Sequence, residues 1–270
     1  MSRVTEVEVG GLPRWIDAAR LLGDATWSFS DGEDDTLVAR AQVDAAFAAD
    51  VDARLRNVGL GGRLLRVRVR PGLSRPQVRE ARLIDARRRR ETTPGFLRRN
   101  VRLDEEGRIS LTPESLALAI AERVAGKRVI DAGCGVGGNA IAFARKGCHV
   151  VAIDSDVERL RMAQHNADVY GVARNIEFVH GDAAEELPRL NADVVFVDPP
   201  WGADWNRERT TQDDFPLLVS ALSASGSAQL RLLKVPPSFD PRTCPGSRAE
   251  AIFGEEPGDF RRVKFVLLSV

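Results

Sequence analysis

The sequence predicts an α/β fold: a Rossmann-like, mainly parallel sheet with helices on both faces, preceded by a small α+β domain. Three observations predict it. Strand-like apolar runs alternate with helical patterns from residue 127 onward, a glycine-rich turn follows the first run, and acids stand where several runs end. The 270 residues suffice for one main domain and a smaller one. We expect these domains to be residues 1–92 and 93–270.

The first 60 residues have weaker patterns, which predict the α+β content of the small domain. Strands are expected near residues 5–9 and 25–29, and helices near 13–22 and within 43–57. No internal repeat is present.

A glycine-rich turn, residues 133–139, separates a predicted strand from a predicted helix. Gly133 and Gly135 let the backbone turn tightly and approach a ligand, and the helix that follows offers free N–H groups to a polar cofactor. The next predicted strand ends at Asp154, 19 residues after Gly135, which is the spacing at which an acid reaches a ribose hydroxyl pair. The segment therefore predicts a nucleoside-containing cofactor.

The acids around this turn favour S-adenosylmethionine over a nicotinamide dinucleotide, although the glycines alone satisfy the fingerprint of both. Asp131 stands just before the turn, where a carboxylate would repel a pyrophosphate but attract the cationic amino group of a methionine moiety. Asp182 and Ala183 follow the third predicted strand, where an acid can accept from the adenine amine. The dinucleotide stays open as the alternative.

The sequence Asp-Pro-Pro-Trp at 198–201 ends a buried apolar run, residues 194–197. Prolines lack an N–H group, so this turn offers mainly acceptors beside a flat aromatic surface. A planar base could donate its exocyclic amine to Asp198 and to the Pro199 carbonyl while its ring stacks on Trp201. We interpret the turn as a catalytic acceptor site; the alternative is a strand-ending turn with a core tryptophan.

Three elements are predicted after this turn. They are a helix over residues 212–224 and two strands over 229–235 and 262–270, which would suit an extra hairpin at the edge of the sheet.

Ordered motifs across residues 102–205 carry a family resemblance. They include Leu-Asp-Glu-Glu-Gly at 103–107, Ser-Leu-Thr-Pro-Glu at 110–114, the glycine-rich turn, and Pro-Pro-Trp-Gly at 199–202. In this order they resemble the eukaryotic trimethylguanosine synthases, the RNA cap guanine-N2 methyltransferases. The resemblance implies a class I methyltransferase sheet, S-adenosylmethionine as methyl donor, RNA as substrate and the guanine N2 amine as acceptor.

The resemblance also implies roles for single residues. Trp201 would stack on the purine, and Asp131, Asp154 and Asp182 would bind the methionine amine, the ribose and the adenine of the donor. Thr112 would contact the methionine end of the donor. The alternative for Thr112 is a helix cap, because a proline and a glutamate follow it as in a good helix start.

Two departures from the family keep other functions open. The family has serine at the position of Asp198 and glycine at that of Ala203. A carboxylate would attract a cationic 7-methylguanine, yet it would equally polarise the amine of plain guanine or adenine. The alternatives are therefore an amine methyltransferase acting on adenine in DNA or RNA or on a small molecule, and a non-catalytic RNA-binding adaptor with this fold.

Residues 61–102 contain fourteen arginines against three acids, although the whole chain has a net charge of zero. Between residues 65 and 70, arginines alternate with apolar residues, so a strand would place the arginines on one face. We expect RNA phosphates to bind Arg66, Arg68, Arg70, Arg87, Arg88, Arg89 and Arg90. The alternative is a solvated arginine-rich surface.

Composition sets the remaining expectations. The three cysteines and three histidines have no metal-ligand spacing, so no metal is expected. No apolar run approaches a membrane span and no signal sequence begins the chain, which predicts a cytoplasmic protein. The oligomeric state is not indicated.

Overall fold

The computed structural model describes residues 4–201, 205–223 and 228–270. Its first part is a four-stranded antiparallel sheet in the order β2-β3-β1-β4. The strands are β1 (Thr5–Pro13), β2 (Ser28–Asp31), β3 (Thr36–Val43) and β4 (Arg66–Arg70), and the helices are α1 (Ala18–Leu22), α2 (Ala45–Leu55) and α3 (Arg75–Arg88).

This first sheet forms because apolar residues alternate along its central strand. Val7 and Val9 of β1 and Val67 of β4 are buried in one apolar cluster with α2. Strand β3 was missed from the sequence, since a run of acids precedes it. That run is the turn between β2 and β3, in which Asp34 and Asp35 have positive φ values, a conformation that Asp tolerates.

The second part is a seven-stranded sheet in the order β10-β11-β9-β8-β5-β6-β7. The strands are β5 (Arg128–Ala132), β6 (His149–Asp154), β7 (Ile176–His180), β8 (Val194–Val197), β9 (Leu230–Val235), β10 (Arg248–Phe253) and β11 (Val263–Ser269). Strands β5 to β9 are parallel, whereas β10 and β11 are antiparallel. The helices are α4 (Glu105–Ser110), α5 (Glu114–Glu122), α6 (Gly138–Arg145), α7 (Val157–Tyr170), α8 (Ala183–Glu186) and α9 (Pro216–Ser223).

Helices bury both faces of this sheet. Val129 and Val150 pack in one cluster with α5, α6 and α7, whereas Ile130 and Val151 pack in another with α8 and α9. Strands covered on both faces are continuously apolar, as in β8, where all four residues are buried. The predicted fold class, a doubly wound α/β sheet with a small α+β part before it, is confirmed.

The two strands expected to form an edge hairpin are present as β9 and β11 and pair antiparallel, but only β11 belongs to the hairpin. Strand β9 runs parallel to β8, and the hairpin is made by β10 and β11. Strand β10 was missed because the alternating Arg and Glu of residues 248–253 dilute its apolar pattern. The predicted helix 212–224 is a short 3₁₀ turn (Gln212–Asp214) followed by α9, and its expected last residue, Ala224, lies outside the described residues.

The two sheets are in contact. The N–H groups of Gly61 and Gly62 donate to the carbonyls of Pro237 and Ser238, at 2.9 and 3.1 Å. Phe253 of β10 is buried in the cluster of the first sheet. The division between domains at residue 92 stays a prediction. No helix in the described parts of the chain is long and apolar enough to cross a membrane.

Candidate active site

The candidate site lies at the carboxyl ends of β5, β6 and β8. Strand β5 is the switch point of the sheet, because the chain continues to β6 on one side of it and to β8 on the other. Ligands of open α/β sheets bind in the crevice that such a switch creates. Asp131, Asp154 and Asp198, three of the acids predicted from the sequence, stand at this crevice.

The glycine-rich turn is held in place by Asp154. The Asp154 Oδ2 atom accepts a hydrogen bond of 2.7 Å from the Gly135 N–H, and its Oδ1 accepts one of 2.9 Å from the Asp156 N–H. Gly133 and Gly135 have φ values of +82° and +54°, which strain any other residue. A Cβ atom built on Gly135 would meet no atom within 4 Å, so open space adjoins the turn where a cofactor is expected.

Asp131 is the most unusual acid of the site. Its side chain is fully buried, and neither carboxylate oxygen has a hydrogen bond of normal geometry among the described residues, although the Ala140 N–H of α6 is close enough to lower the pKa of this acid slightly. Burial, together with the neighbouring Asp198 and Asp154, raises the pKa of Asp131 to about 8. A buried acid without a partner is costly unless a cation or donor completes it. The site therefore fits a ligand that brings a cationic amine to Asp131.

Thr112, Asp182 and Ala183 surround the same end of the sheet with different local roles. Asp182 is exposed and caps α8, since its Oδ1 accepts 2.8 Å from the Ala184 N–H, and Ala183 is buried. Thr112 is buried and its Oγ1 has no partner in the described part of the chain. It makes no helix cap, because α5 begins after Pro113 without any side-chain capping bond. The capping alternative is wrong, and the donor contact stays a prediction.

Asp198 is half of a buried ion pair that the sequence did not reveal. The Lys234 Nζ atom lies 2.6 Å from Asp198 Oδ2 and 3.1 Å from the Ser110 carbonyl oxygen. The Asn139 Nδ2 donates to the same Oδ2 at 3.3 Å. Burial raises the pKa of Asp198, and Lys234 offsets part of that rise. The only signal for Lys234 in the sequence is a lone lysine in the otherwise apolar end of β9.

Trp201 is partly buried and partly accessible to solvent. The side chain is half-buried, packs against both apolar clusters, and its Nε1 is buried without a partner among the described residues. Its ring centroid is 6.4 Å from that of Trp205 and 5.2 Å from the Lys234 Nζ. Pro199 is buried and Pro200 is exposed. Gly202 and Ala203, where the family motif continues, lie outside the described residues.

The segment around α4 covers the glycine-rich turn. A Cβ atom on Gly107 would lie 2.6 Å from the Asp104 carboxylate and 3.0 Å from Val136, and one on Gly138 would lie 2.4 Å from Leu111, so a side chain at either glycine would require these neighbours to move. The Arg159 guanidinium on α7 bonds to the carboxylates of Asp104 and Glu106 and so fixes α4 over the turn. The described residues contain no group of three or more His, Cys, Asp or Glu side chains that could hold a metal ion.

The seven arginines expected to bind RNA differ in their partners. Four of them are paired with carboxylates: Arg66 with Glu33, Arg68 with Glu8, Arg88 with Asp50 and Arg89 with Asp85. Arg70, Arg87 and Arg90 are exposed, and the described residues provide no carboxylate partner for them. The predicted strand is present as β4, and its arginines lie on its solvent face; Arg87 and Arg88 lie in the last turn of α3.

Known proteins similar to this chain share the segment that contains the site. Residues 126–225 match the profile of a family described as RNA cap guanine-N2 methyltransferase. The trimethylguanosine synthase of Schizosaccharomyces pombe is 38% identical over 110 residues, which are 37% of this chain and 46% of that protein. The trimethylguanosine synthase of Saccharomyces cerevisiae is 32% identical over 113 residues, 38% of this chain and 36% of that protein.

The chain thus spans less than half the length of these two curated relatives. Among solved structures, an RNA methyltransferase from Salinibacter ruber in complex with S-adenosyl-L-homocysteine overlaps 58% of this chain and 87% of its own, with a TM-score of 0.41 and 21% identity. The match of residues 126–225 confirms the resemblance of this segment to the trimethylguanosine synthase family, and the structure places strands β5 to β8 of the seven-stranded sheet within it.

Proposed function

We propose that this protein is an S-adenosylmethionine-dependent RNA methyltransferase that modifies the exocyclic N2 amine of guanine. The observation that carries the proposal is the fully buried, unpartnered carboxyl of Asp131 beside the Asp198-Pro199-Pro200-Trp201 turn. Asp131 would bind a cationic amine, and the turn at 198–201 would bind a planar base. The methyl donor and the acceptor base would therefore meet in one crevice. The family matched by residues 126–225 supports the choice of guanine N2 in RNA.

The donor-binding half of the crevice is built from acids. Asp131 would pair with the ammonium of the methionine moiety, and Asp182 would accept from the adenine amine. Asp154, whose carboxylate already holds Gly135, would accept from the ribose hydroxyls. Thr112 would donate its unpartnered hydroxyl to the methionine end of the donor. S-adenosylmethionine bound there would supply a methyl group on a positively charged sulfur.

The acceptor half has to raise the reactivity of a weak nucleophile. The lone pair of an exocyclic amine is delocalised into its ring, so orientation and acceptor placement supply most of the rate. Trp201 would hold the ring, while Asp198 and the Pro199 carbonyl accept the amine hydrogens. Transfer of the donor's methyl group to the amine nitrogen, with cleavage of its bond to sulfur, would leave an extra proton on the nitrogen, and Asp198 would take up that proton.

Incubation with isotopically labelled donor and total cellular RNA tests the proposal. Digestion of the RNA and mass spectrometry of the nucleosides should find the label in N2-methylguanosine. Label confined to N6-methyladenosine would refute the guanine assignment and leave the adenine alternative. Calorimetry with S-adenosylhomocysteine separates the adaptor alternative, because a non-catalytic RNA-binding protein needs no donor site.

Trp201→Ala should weaken binding of a guanine-containing RNA about 5- to 150-fold, since stacking of a base on an aromatic side chain contributes about 1 to 3 kcal/mol. Trp201→Phe should keep most of the affinity, because it retains an aromatic face. Donor affinity, measured by calorimetry, should be unchanged in both variants. Equal RNA binding by the wild type and the alanine variant would show that the indole is only a packing residue.

We further propose that unpaired arginines, rather than those paired with carboxylates such as Arg66 and Arg68, carry most of the RNA phosphate binding. Helix α3 adds Arg75, Arg79 and Arg82 to the unpaired exposed set, and these three line a groove of about 410 Å³ together with Leu73, Val78 and Leu83. A guanidinium already paired with a carboxylate gains less from a phosphate, because that pair must first be broken.

Replacing Arg75, Arg79 and Arg82 with Ala should lower RNA affinity and should reduce the dependence of log K on log salt by up to about 2, at about 0.7 per lost phosphate contact on a single strand. A matched control replaces three exposed arginines that are paired with carboxylates, Arg66, Arg68 and Arg161. Filter binding over a series of salt concentrations measures both slopes. A larger loss in the control than in the α3 variant would contradict the assignment.

A further inference from the structure

The acceptor side of the crevice contains a direct, largely buried ion pair between Lys234 and Asp198. The Lys234 Nζ and Asp198 Oδ2 atoms are 2.6 Å apart, and the two side chains are 5% and 14% exposed. Because so little water reaches them, the ammonium and the carboxylate interact strongly, and the pair as a unit has no net charge. Asp198 therefore attracts a positively charged ligand much less than a lone carboxylate would.

Lys234 also occupies one face of the indole on which a base would stack. Its Nζ lies 5.2 Å from the centroid of the Trp201 ring, within the range of a cation–π interaction. A cationic heterocycle stacked on the opposite face would share the same π system with a fixed ammonium. An uncharged base gains from stacking without that electrostatic competition.

The bound donor would add a further positive charge to the acceptor side. When S-adenosylmethionine is bound, its sulfonium must lie next to the acceptor amine, since the methyl group passes directly between them. The acceptor side then contains a sulfonium, an ammonium and one carboxylate. A second cationic ring at this point would be opposed by the sulfonium and would find no unpaired carboxylate on Asp198 to offset the repulsion.

Hydrogen bonding at Asp198 remains available to a neutral base. Both side-chain contacts of its carboxylate, from Asn139 and Lys234, use Oδ2, and the described residues leave Oδ1 without a hydrogen bond. A single carboxylate oxygen can still accept from the amine of an uncharged purine. Ion pairing thus removes the attraction for a charged ring but keeps the acceptor that polarises an amine.

We propose that Lys234 sets the substrate class of this site: an uncharged guanine, without a methyl group at N7, rather than the cationic 7-methylguanine of a methylated cap. This inference rests on the proposed function. Lys234 is a specificity-determining residue that acts by neutralising Asp198 and by occupying one face of Trp201.

The wild-type protein provides the first test. Two transcripts of the same sequence, one starting with an unmethylated GpppG cap and one with a 7-methylated cap, are incubated with labelled donor at mildly acidic pH, where the 7-methylated ring keeps its charge. Label should enter uncharged guanosines, and the 7-methylated cap nucleoside should gain at least about tenfold less. Faster labelling of the 7-methylated cap than of any uncharged guanosine would overturn the inference.

The second test removes the ammonium. Lys234→Met keeps an unbranched side chain without charge. The affinity for 7-methylguanosine triphosphate, divided by the affinity for guanosine triphosphate, should rise about tenfold in this variant. Quenching of Trp fluorescence measures both affinities. Lys234→Arg should keep the wild-type preference, and Lys127→Met, on an exposed lysine immediately before β5, is the matched control. An unchanged preference in a folded Lys234→Met protein would also overturn the inference.

The proposed methyltransferase function can be tested separately from the inference about Lys234. Calorimetric donor binding and transfer into any guanosine test the methyltransferase itself. If both succeed while the 7-methylated cap is the preferred acceptor, only the inference about Lys234 is wrong.

Discussion

Asp131→Asn should abolish donor binding and at the same time stabilise the ligand-free protein. The wild-type carboxyl is buried without a partner among the described residues and has a pKa of about 8. The folded protein therefore favours the protonated, uncharged form of this side chain. Asparagine has nearly the same shape and no charge to bury. Donor affinity should fall by more than about a hundredfold, because a buried charge partner of the donor ammonium is lost.

The gain in stability should depend on pH in a defined direction. The folded pKa of this acid lies above its unfolded value of 3.8. Between these values the unfolded chain has released the proton while the native protein still holds it, so wild-type stability falls as pH rises through this window and levels off above about pH 8. Relative to wild type, the Asp131→Asn variant should gain up to about 1.4 kcal/mol per pH unit between about pH 4 and 8.

Thermal unfolding of both proteins at several pH values, without donor, measures this difference. Asp168→Asn, which replaces an exposed acid on α7, is the control and should follow the wild type at every pH. A constant offset between the curves of the Asp131→Asn variant and the wild type would mean that Asp131 is ionised in the native protein, and the donor-binding argument would lose its main support. Adding donor should raise the melting temperature of the wild type and of the Asp168→Asn control, but not that of the Asp131→Asn variant.

The parts of the site that were predictable from sequence are those that local chemistry dictates. The glycine turn, the acid 19 residues later and the Asp-Pro-Pro-Trp turn each stand at a fixed distance from a strand end. Parallel strands bring their carboxyl ends to one edge, so the order of strands and acids was enough to place Asp131, Asp154 and Asp198 together.

The role of Lys234 could not be predicted, because its contacts are distant in the sequence. Its partners, Asp198 and Ser110, are 36 and 124 residues away in the chain, and only the pairing of β8 with β9 brings the first of them into contact. One lysine in an apolar strand is more often a surface residue whose stem is buried. The same limit applies to the arginines, since Glu8 and Glu33 neutralise Arg68 and Arg66 only across the first sheet.

Removing one partner of the Lys234–Asp198 pair should cost far more than removing both. Asp198→Asn leaves a lysine that is 5% exposed without its carboxylate, and such a broken buried pair destabilises a protein by about 3–5 kcal/mol. The double variant Asp198→Asn/Lys234→Met buries no charge at this point. It should recover most of the lost stability in urea unfolding, because two uncharged side chains replace the pair.

Activity separates this charge effect from a simple loss of structure. Both the single variant and the double variant should bind S-adenosylhomocysteine, since Asp131, Asp154 and the glycine turn are unchanged, yet neither should methylate RNA, because Asp198 accepts the amine proton. Additive destabilisation by the two substitutions would contradict a coupled buried pair. Methyl transfer by the double variant would show that the Pro199 carbonyl and Trp201 are sufficient, and that the carboxylate serves only to hold Lys234 in place.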